Sequence, residues 1–332
     1  MNYKALWVTE NEAGTFQRSI VSRDIEELPD GDVLIRVEYS SLNYKDALSA
    51  TGNKGITKTF PHTPGIDAAG VVAISRDPLF VTGEEVVVTG HDLGMNTPGG
   101  FGGYIKVPGS WIMHKPEGYS LKDCMAIGTA GFTAACALFK MELLGQQSTD
   151  GEIVVTGSSG GVGSIATALL CKAGYNVVAV TGKREINDYL RFLGAVRVES
   201  REYVNDQSTR KLLPSKWSGA IDTVGGNTLH TLLRGCKPEG VVVSTGLVES
   251  PDLRTSVYPL ILNGVSLVGI GSAETPPDTR KAVWEKLSTS WNIKEKLATI
   301  ASEISLQQLT DTYIDKILAG QMTGRVVINL NL

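Results

Sequence analysis

The run Glu152-Ile153-Val154-Val155-Thr156-Gly157-Ser158-Ser159-Gly160-Gly161-Val162-Gly163 constrains the fold more than any other stretch of this 332-residue chain. Its apolar and β-favouring residues suit a short buried strand, and the glycines after it let backbone amides approach a pyrophosphate at the positive end of the next helix. The first glycine of the usual GxGxxG pattern is replaced by Ser158, leaving Ser158-x-Gly160-x-x-Gly163. Such a pattern alone also fits a strand-to-helix turn with no ligand. Its flanks give it weight: a helix over 164–173, Gly174 as its stop, and a second strand over Asn176-Val177-Val178-Ala179-Val180. The expected ligand is a dinucleotide, with Ser159, Gly160, Gly161 and Val162 lining its pyrophosphate.

The tip of the second strand bears on which dinucleotide. An NAD site usually carries Asp or Glu there to bond the ribose 2′-hydroxyl, and a carboxylate would repel a 2′-phosphate. This chain offers Thr181-Gly182-Lys183-Arg184 instead, a hydroxyl and two cations. NADPH is the expected cofactor, with Thr181, Gly182 and Lys183 around the 2′-phosphate. The competing reading, a solvated charge pair after a strand, accounts for the cations and leaves the missing acid unexplained.

The chain is too long for one ordinary core and fits two domains. A net charge of −4 argues against a general nucleic-acid binder, whose affinity comes from clustered Lys and Arg. No 18-residue apolar run stands out as a membrane span. The segment 1–10 alternates like a strand and lacks the basic-then-apolar build of a secretory signal, so a cytoplasmic location is expected. The four cysteines, Cys124, Cys136, Cys171 and Cys236, are far apart and form no CxxC pair, which excludes a recognised zinc motif or disulfide framework and suits small buried hydrophobes.

Up to about residue 121 the text is β-rich, with short runs such as Val33-Leu34-Ile35-Arg36-Val37 and Val86-Val87-Val88. A helical stretch then follows over 123–144, interrupted by Gly128-Thr129-Ala130-Gly131. From Glu152 onward strands and helices alternate, which argues for a parallel sheet covered on both faces. A helix over 306–318 and the strand-like Gly324-Arg325-Val326-Val327-Ile328 read as a return to the first domain. The expected class is α/β: a Rossmann doubly wound sheet over 123–295, inside a β-rich domain split between 1–122 and 296–332.

Four blocks, Ser40-Ser41-Leu42-Asn43-Tyr44-Lys45-Asp46, Pro64-Gly65-Ile66-Asp67-Ala68-Ala69-Gly70, Gly128-Thr129-Ala130-Gly131-Phe132-Thr133-Ala134 and Ala220-Ile221-Asp222-Thr223-Val224-Gly225-Gly226, carry a resemblance. In this order the chain resembles, end to end, the medium-chain dehydrogenase/reductase superfamily, whose GroES-like catalytic domain is split around a Rossmann domain. The blocks are similar to its YhdH/YhfP group of acrylyl-CoA reductases and quinone oxidoreductases. Zinc-dependent members carry Gly-His-Glu where this chain has Ile66 and Asp67, and a cysteine near its Asn43-Tyr44. A catalytic zinc needs three protein ligands, and His62, His91, His114 and His230 do not rebuild that set by any recognised spacing. No metal is expected.

The resemblance implies a metal-free NADPH-dependent reduction of an activated C=C bond, such as that of acrylyl-CoA, or of a quinone; a non-catalytic NADPH sensor is the reading from another class. Tyr44 and Asn43 are the expected hydrogen-bond donors to the reacting oxygen, with Tyr44 as proton donor, nicotinamide-positioning group or plain packing. Asp67 orients the cleft or relays a proton, or else caps a local turn; Asp46 carries the same ambiguity. Thr129 and Thr133 are expected at the nicotinamide amide or phosphate, and otherwise at a helix entry. By resemblance Arg201 reaches the adenosine phosphate, with Arg197 as the alternative, while Gly246, Leu247, Ile270 and Ser272 contact nicotinamide. Lys45, Lys54 and Lys58 are the cations available to a CoA phosphate. A homodimer joined at a sheet edge is also implied, with the segment 265–270 as that edge or as an internal strand.

Overall fold

A computed structural model describes residues 1–332 as two compact units, 1–129 with 297–332 and 130–296. In chain order the strands of the first are β1 (Asn2–Glu10), β2 (Phe16–Asp24), β3 (Val33–Ser41), β4 (Asp67–Ser75), β5 (Glu85–Thr89), β6 (Tyr104–Val107) and β7 (Ile112–His114). The second holds β8 (Glu152–Val155), β9 (Asn176–Val180), β10 (Arg197–Glu199), β11 (Trp217–Asp222), β12 (Cys236–Ser244) and β13 (Ser266–Gly269). The chain then returns to the first unit with β14 (Ala301–Ser305) and β15 (Arg325–Asn329). Helices that matter below are α1 (Tyr44–Ala50), α2 (Leu121–Leu143), α3 (Gly161–Lys172), α4 (Asn187–Phe192), α5 (Gly226–Arg234) and α6 (Tyr258–Asn263).

In the second unit all six strands are parallel, in the order β10-β9-β8-β11-β12-β13. Ile153, Val154 and Val155 of β8 are fully buried, as a central strand covered on both faces requires. Val154, Val178, Ala220 and Val242 from four neighbouring strands share one core with Trp217, Leu229 and Leu232. The segment expected at 265–270 is the edge strand β13, bonded on one side only, to β12. The second unit thus has the doubly wound Rossmann order.

The first unit is built around a sheet in the order β14-β15-β3-β4-β5-β7, with β6 also paired to β3, beside the antiparallel hairpin β1-β2. The carboxyl-terminal strand β15 pairs antiparallel with β3, matching Val327 to Ser41 and Asn329 to Tyr39. Its core joins residues from both ends of the sequence, among them Leu6, Leu42, Ala47, Phe101, Ile304, Leu309 and Ile328. This is the GroES-like β-rich partner of the Rossmann unit.

The first boundary falls at Thr129/Ala130, later than the 122/123 junction expected from the onset of helical pattern. Helix α2 does begin at Leu121, but it kinks at Gly128 (φ +50°), and Thr129 after the kink is tied to Asp67 of the first unit. By length and composition alone α2 would also suit a bilayer, contrary to the expectation that no apolar run is long enough; 83% of its most apolar stretch is buried in protein. The helix expected over 306–318 contains a π-helical stretch, Leu309–Tyr313, between two short α segments.

Candidate functional site

The glycine turn after β8 has the build that a phosphate cradle needs. Gly157 is left-handed at φ +57°, and a Cβ on Gly163 would overlap the Gly157 carbonyl, so turn and helix approach as only glycine allows. Ser158, standing where glycine is usual, is fully buried and turns its hydroxyl to the Val155 carbonyl at 2.6 Å and the Val180 carbonyl at 3.1 Å. It thereby fastens β8 to β9. Ser159, Gly160, Gly161 and Val162 remain partly exposed at the start of α3; the Gly160 amide closes the turn on the Gly157 carbonyl at 2.9 Å, and the first helix amides after it favour an anion.

The tip of β9 gathers the expected phosphate ligands. Thr181 Oγ1 accepts the Lys183 amide at 3.1 Å and lies 3.4 Å from Ser159 Oγ. Arg201, entering after β10, lays its guanidinium against Gly182 so closely that a Cβ there would overlap it. Burial pulls the Lys183 ammonium below its usual pKa; Glu185 opposes this and Arg201 adds to it. Bringing an anion here relieves repulsion between two cations. Arg197, the alternative to Arg201, is engaged elsewhere, with Glu152 at 2.8 Å and Glu199 at 3.3 Å.

The remaining expected cofactor residues lie at the carboxyl ends of the same parallel strands, where open α/β sheets bind ligands. Gly246 and Leu247 follow β12, and a Cβ on Gly246 would overlap the Thr223 carbonyl beyond β11. Ile270 follows β13 and donates its amide to Ser244 at 3.2 Å. Thr133 and Ser272, predicted from separate stretches, meet: Thr133 Oγ1 donates to Ser272 Oγ at 2.7 Å. Sequence reasoning missed their neighbour Arg280, which donates to the Ser272 and Ala273 carbonyls at 3.2 and 3.0 Å.

In the first unit Asn43 and Asp67 belong to a buried polar cluster at the start of α1. Fully buried Asp67 accepts from Ser41 Oγ (2.6 Å), Asn43 Nδ2 (2.7 Å), Thr129 Oγ1 (2.6 Å) and the Thr129 amide (3.0 Å). Arg325, 3% exposed on β15, donates to Ser41 Oγ (2.7 Å), Asn43 Oδ1 (3.1 Å) and the carbonyls of Leu42 (3.0 Å) and Ala126 (3.3 Å), with Asp67 at 3.8 Å. Burial pulls Arg325 below its usual pKa, opposed by Asp67 and Asp46. Asp46 accepts the amides of Asn43 and Ile66, each at 2.8 Å. Burial first, and Asp67 second, push it up to about 7.

Asn43 therefore spends its side chain inside the cluster, and Thr129 its hydroxyl on Asp67. Asp67 opens β4 and caps no turn of α1; the residue that holds the α1 entry is Asp46. Tyr44 alone of the expected catalytic trio points outward, 52% exposed as the first residue of α1. Sequence reasoning missed Ser41 and Arg325. The signal for Arg325 was a lone cation opening an otherwise apolar strand, which burial makes costly unless it is paired. Of the three lysines considered for a CoA phosphate, Lys54 is committed to Glu10 at 2.5 Å and sits over the Phe16 and Phe60 rings, while Lys45 and Lys58 are exposed.

A glycine cradle at the end of a central parallel strand, in a Rossmann unit inserted into the sequence of a GroES-like one, defines a dinucleotide-dependent dehydrogenase or reductase fold. Two family profiles match: an alcohol dehydrogenase GroES-like domain over 29–117 and a zinc-binding dehydrogenase over 161–289. The chain belongs to the medium-chain dehydrogenase/reductase family, in the group of YhfP, YhdH and AcuI. It is 44% identical over 305 residues, 92% of each chain, to YhfP of Bacillus subtilis, whose name provisionally assigns a quinone oxidoreductase. The crystal structure of that protein, with NAD bound, matches at a TM-score of 0.96 over 99% of both chains, at 42% identity. Acrylyl-CoA reductase AcuI of Ruegeria pomeroyi is 38% identical over 322 residues, 97% of each chain. The structure of Escherichia coli YhdH with bound NADPH matches at a TM-score of 0.94, 42% identity, over 98% of this chain and all of that one.

The zinc named in one profile does not fit these residues. No group of three or more His, Cys, Asp or Glu side chains comes together to hold a metal ion, and Ile66 is apolar and buried. Of the two carboxylates at that point of the fold, Asp67 already accepts four hydrogen bonds beside a guanidinium, and Asp46 accepts the amides of Asn43 and Ile66. The dinucleotide does fit, because the turn is a glycine cradle and residues 181–184 at the β9 tip carry a hydroxyl and cations with no carboxylate among them.

Proposed function

We propose that the chain is an NADPH-dependent, zinc-independent reductase of an activated C=C bond, acting in the cytoplasm on an α,β-unsaturated acyl thioester of the acrylyl-CoA type. The observation that carries the cofactor is the convergence of Thr181, Lys183 and Arg201 on Gly182. When bound, NADPH supplies the hydride. The residues at 159–162 line the pyrophosphate, with the amides of Gly161 and Val162 at the start of α3 to hold it, and Thr181, Lys183 and Arg201 hold the 2′-phosphate. The substrate class is supported by AcuI of R. pomeroyi, whose length this chain matches almost throughout.

Without a metal, charge developing on the thioester oxygen needs a hydrogen-bond donor in a water-poor setting. Tyr44 offers an outward phenol on a rigid support, and after hydride reaches the β-carbon the α-carbon takes a proton from a group of this kind. Asn43, Asp67 and Arg325 are positioning residues: they lock the entry of α1, and so the place from which Tyr44 projects. Thr133 and Ser272, hydrogen-bonded to each other, present hydroxyls for a carboxamide.

Quinone reduction is the second reading, favoured by the name that YhfP carries. Parallel measurements of NADPH oxidation with acrylyl-CoA and with a simple quinone separate the two: preference for the thioester is expected, and selective quinone turnover overturns it. Tight coenzyme binding with no turnover of any activated alkene or quinone returns the sensor reading. The chain also forms a homodimer in this proposal. The edge strand β13 has one side unbonded, with Leu267 on it 38% exposed, and Ile261 and Leu262 of α6 are 69% and 60% exposed. Sedimentation as a monomer at micromolar concentration excludes it.

A further inference from the structure

Asp222 is a buried carboxylate that the proposed chemistry leaves unused. It ends β11 with no exposed surface and accepts Thr156 Oγ1 at 2.6 Å, the Gly225 amide at 2.8 Å and the Val224 amide at 3.2 Å. Thr156 is the residue from which the glycine turn departs. Its hydroxyl oxygen also accepts the Thr223 amide at 3.0 Å, and its carbonyl accepts Thr223 Oγ1 at 3.0 Å. Thr223 in turn lies against Gly157 on one side and Gly246 on the other, so closely that a Cβ on either glycine would overlap it. The Asp222 carbonyl accepts Thr245 after β12, through its amide at 2.7 Å and its hydroxyl at 3.0 Å. One residue thus couples the ends of three adjacent strands, β8, β11 and β12, from which the cradle at 157–163 and the Gly246–Leu247 contact project.

We propose that Asp222 is a positioning residue of the coenzyme site: its ionised carboxylate, acting through Thr156 and Thr223, holds the glycine turn in the arrangement that binds the pyrophosphate, so that coenzyme affinity falls when it takes up a proton. The inference rests on the dinucleotide reading of the second unit. An ionised carboxylate accepts all three donors, whereas a protonated one carries an O–H that competes with them for the same positions. Buried among strand ends, the carboxyl is pushed up to about 6; the bonds from Thr156, Gly225 and Val224 pull it down, and Glu249, the charged group facing it from the segment after β12, pushes it up. From the end of β8 the group facing it is the Thr156 hydroxyl, whereas the Thr245 hydroxyl after β12 bonds the main-chain carbonyl of Asp222.

Affinity scales with the competent fraction of the protein, so one pH unit below the midpoint weakens binding by about tenfold. The experiment is calorimetric titration of the intact chain, Asp222→Asn and Thr156→Val with NADPH and with NADH, from pH 5 to pH 8. NADH is needed because the 2′-phosphate of NADPH itself titrates at about 6. With NADH the intact chain is expected to weaken about tenfold between pH 8 and pH 5, and Asp222→Asn to bind weakly and without that pH dependence. Thr156→Val, which leaves the carboxylate its two amide partners, is expected to move the midpoint upward, and it decides the matter should Asp222→Asn fail to fold. Equal pH profiles in intact and variant chains overturn the role of Asp222 while leaving the coenzyme reading intact. Failure of the intact chain to bind either coenzyme overturns both.

Discussion

Asp46 makes the pH dependence of stability unusual, and Asp46→Asn measures by how much. The carboxyl has no exposed surface, and burial together with the Asp67 charge lifts it from 3.8 to about 7 despite three hydrogen-bond donors. Because the folded-state value lies above the unfolded one, the group favours the folded chain in acid, and that contribution is lost as pH rises through about 7. At about 1.4 kcal/mol per unit, the whole difference amounts to roughly 4 kcal/mol. Between pH 5 and pH 8 alone the intact chain should lose more than half of that on account of Asp46. Asparagine does not titrate, so the variant lacks this slope, whatever constant penalty the substitution brings. Urea unfolding of both chains at the two pH values, followed by far-UV circular dichroism, isolates the quantity as a difference of differences, in which Asp222 and the other titrating groups outside the Asp46–Asp67–Arg325 cluster cancel. Identical slopes, or an intact chain that gains stability toward pH 8 relative to the variant, would refute the placement of a desolvated carboxyl beside Asp67.

Replacing Arg325 by Met leaves Asp67 and Asp46 without their cation and should cost about 3 to 5 kcal/mol in urea unfolding, with Lys a poor rescue because its single ammonium cannot reproduce the guanidinium's spread of bonds; a loss under about 1 kcal/mol would show that the cluster is not a paired charge network. Arg201→Ala should raise KM for NADPH about tenfold to a hundredfold while leaving KM for NADH nearly unchanged, as expected for a lost charged hydrogen bond to phosphate; a parallel rise for both coenzymes would place Arg201 away from the 2′-phosphate. Tyr44→Phe should lower kcat by about a hundredfold with little change in coenzyme affinity, and near-normal turnover would remove the phenol from the chemical step.

The Rossmann unit was legible because its signals are local. Strand, glycine turn, helix and second strand follow one another within 152–180, and the missing acid at the β9 tip can be read from four consecutive residues. Ser158 also shows how local context absorbs a departure from the pattern, since its hydroxyl bridges two strand carbonyls where glycine usually serves for compactness. The polar cluster of the first unit was legible only in part. Asn43 and Asp67 stand in recognisable blocks, but what their side chains do is set by Arg325, far along the chain, whose partners follow from the pairing of β15 with β3. The same long-range pairing turned Asn43 from an expected donor to substrate into a buried link. The interruption at Gly128 was visible as small residues, and its cause was not: a Cβ there would lie 2.6 to 2.7 Å from Ser41 Oγ, Arg325 Nη2 and Asp67 Oδ2.

The split of the first unit between the two ends of the sequence has a consequence for synthesis on the ribosome. Residues 130–296 form a contiguous piece whose six-stranded sheet has all its members as soon as they emerge. The amino-terminal portion, made earlier, must wait for β15 to fill its place beside β3 and for Arg325 to neutralise two acidic groups already gathered around residue 43. The part translated first is therefore the last to mature. Nascent chains stalled just short of Gly324 should show a protease-resistant nucleotide-binding half attached to a digestible leading half.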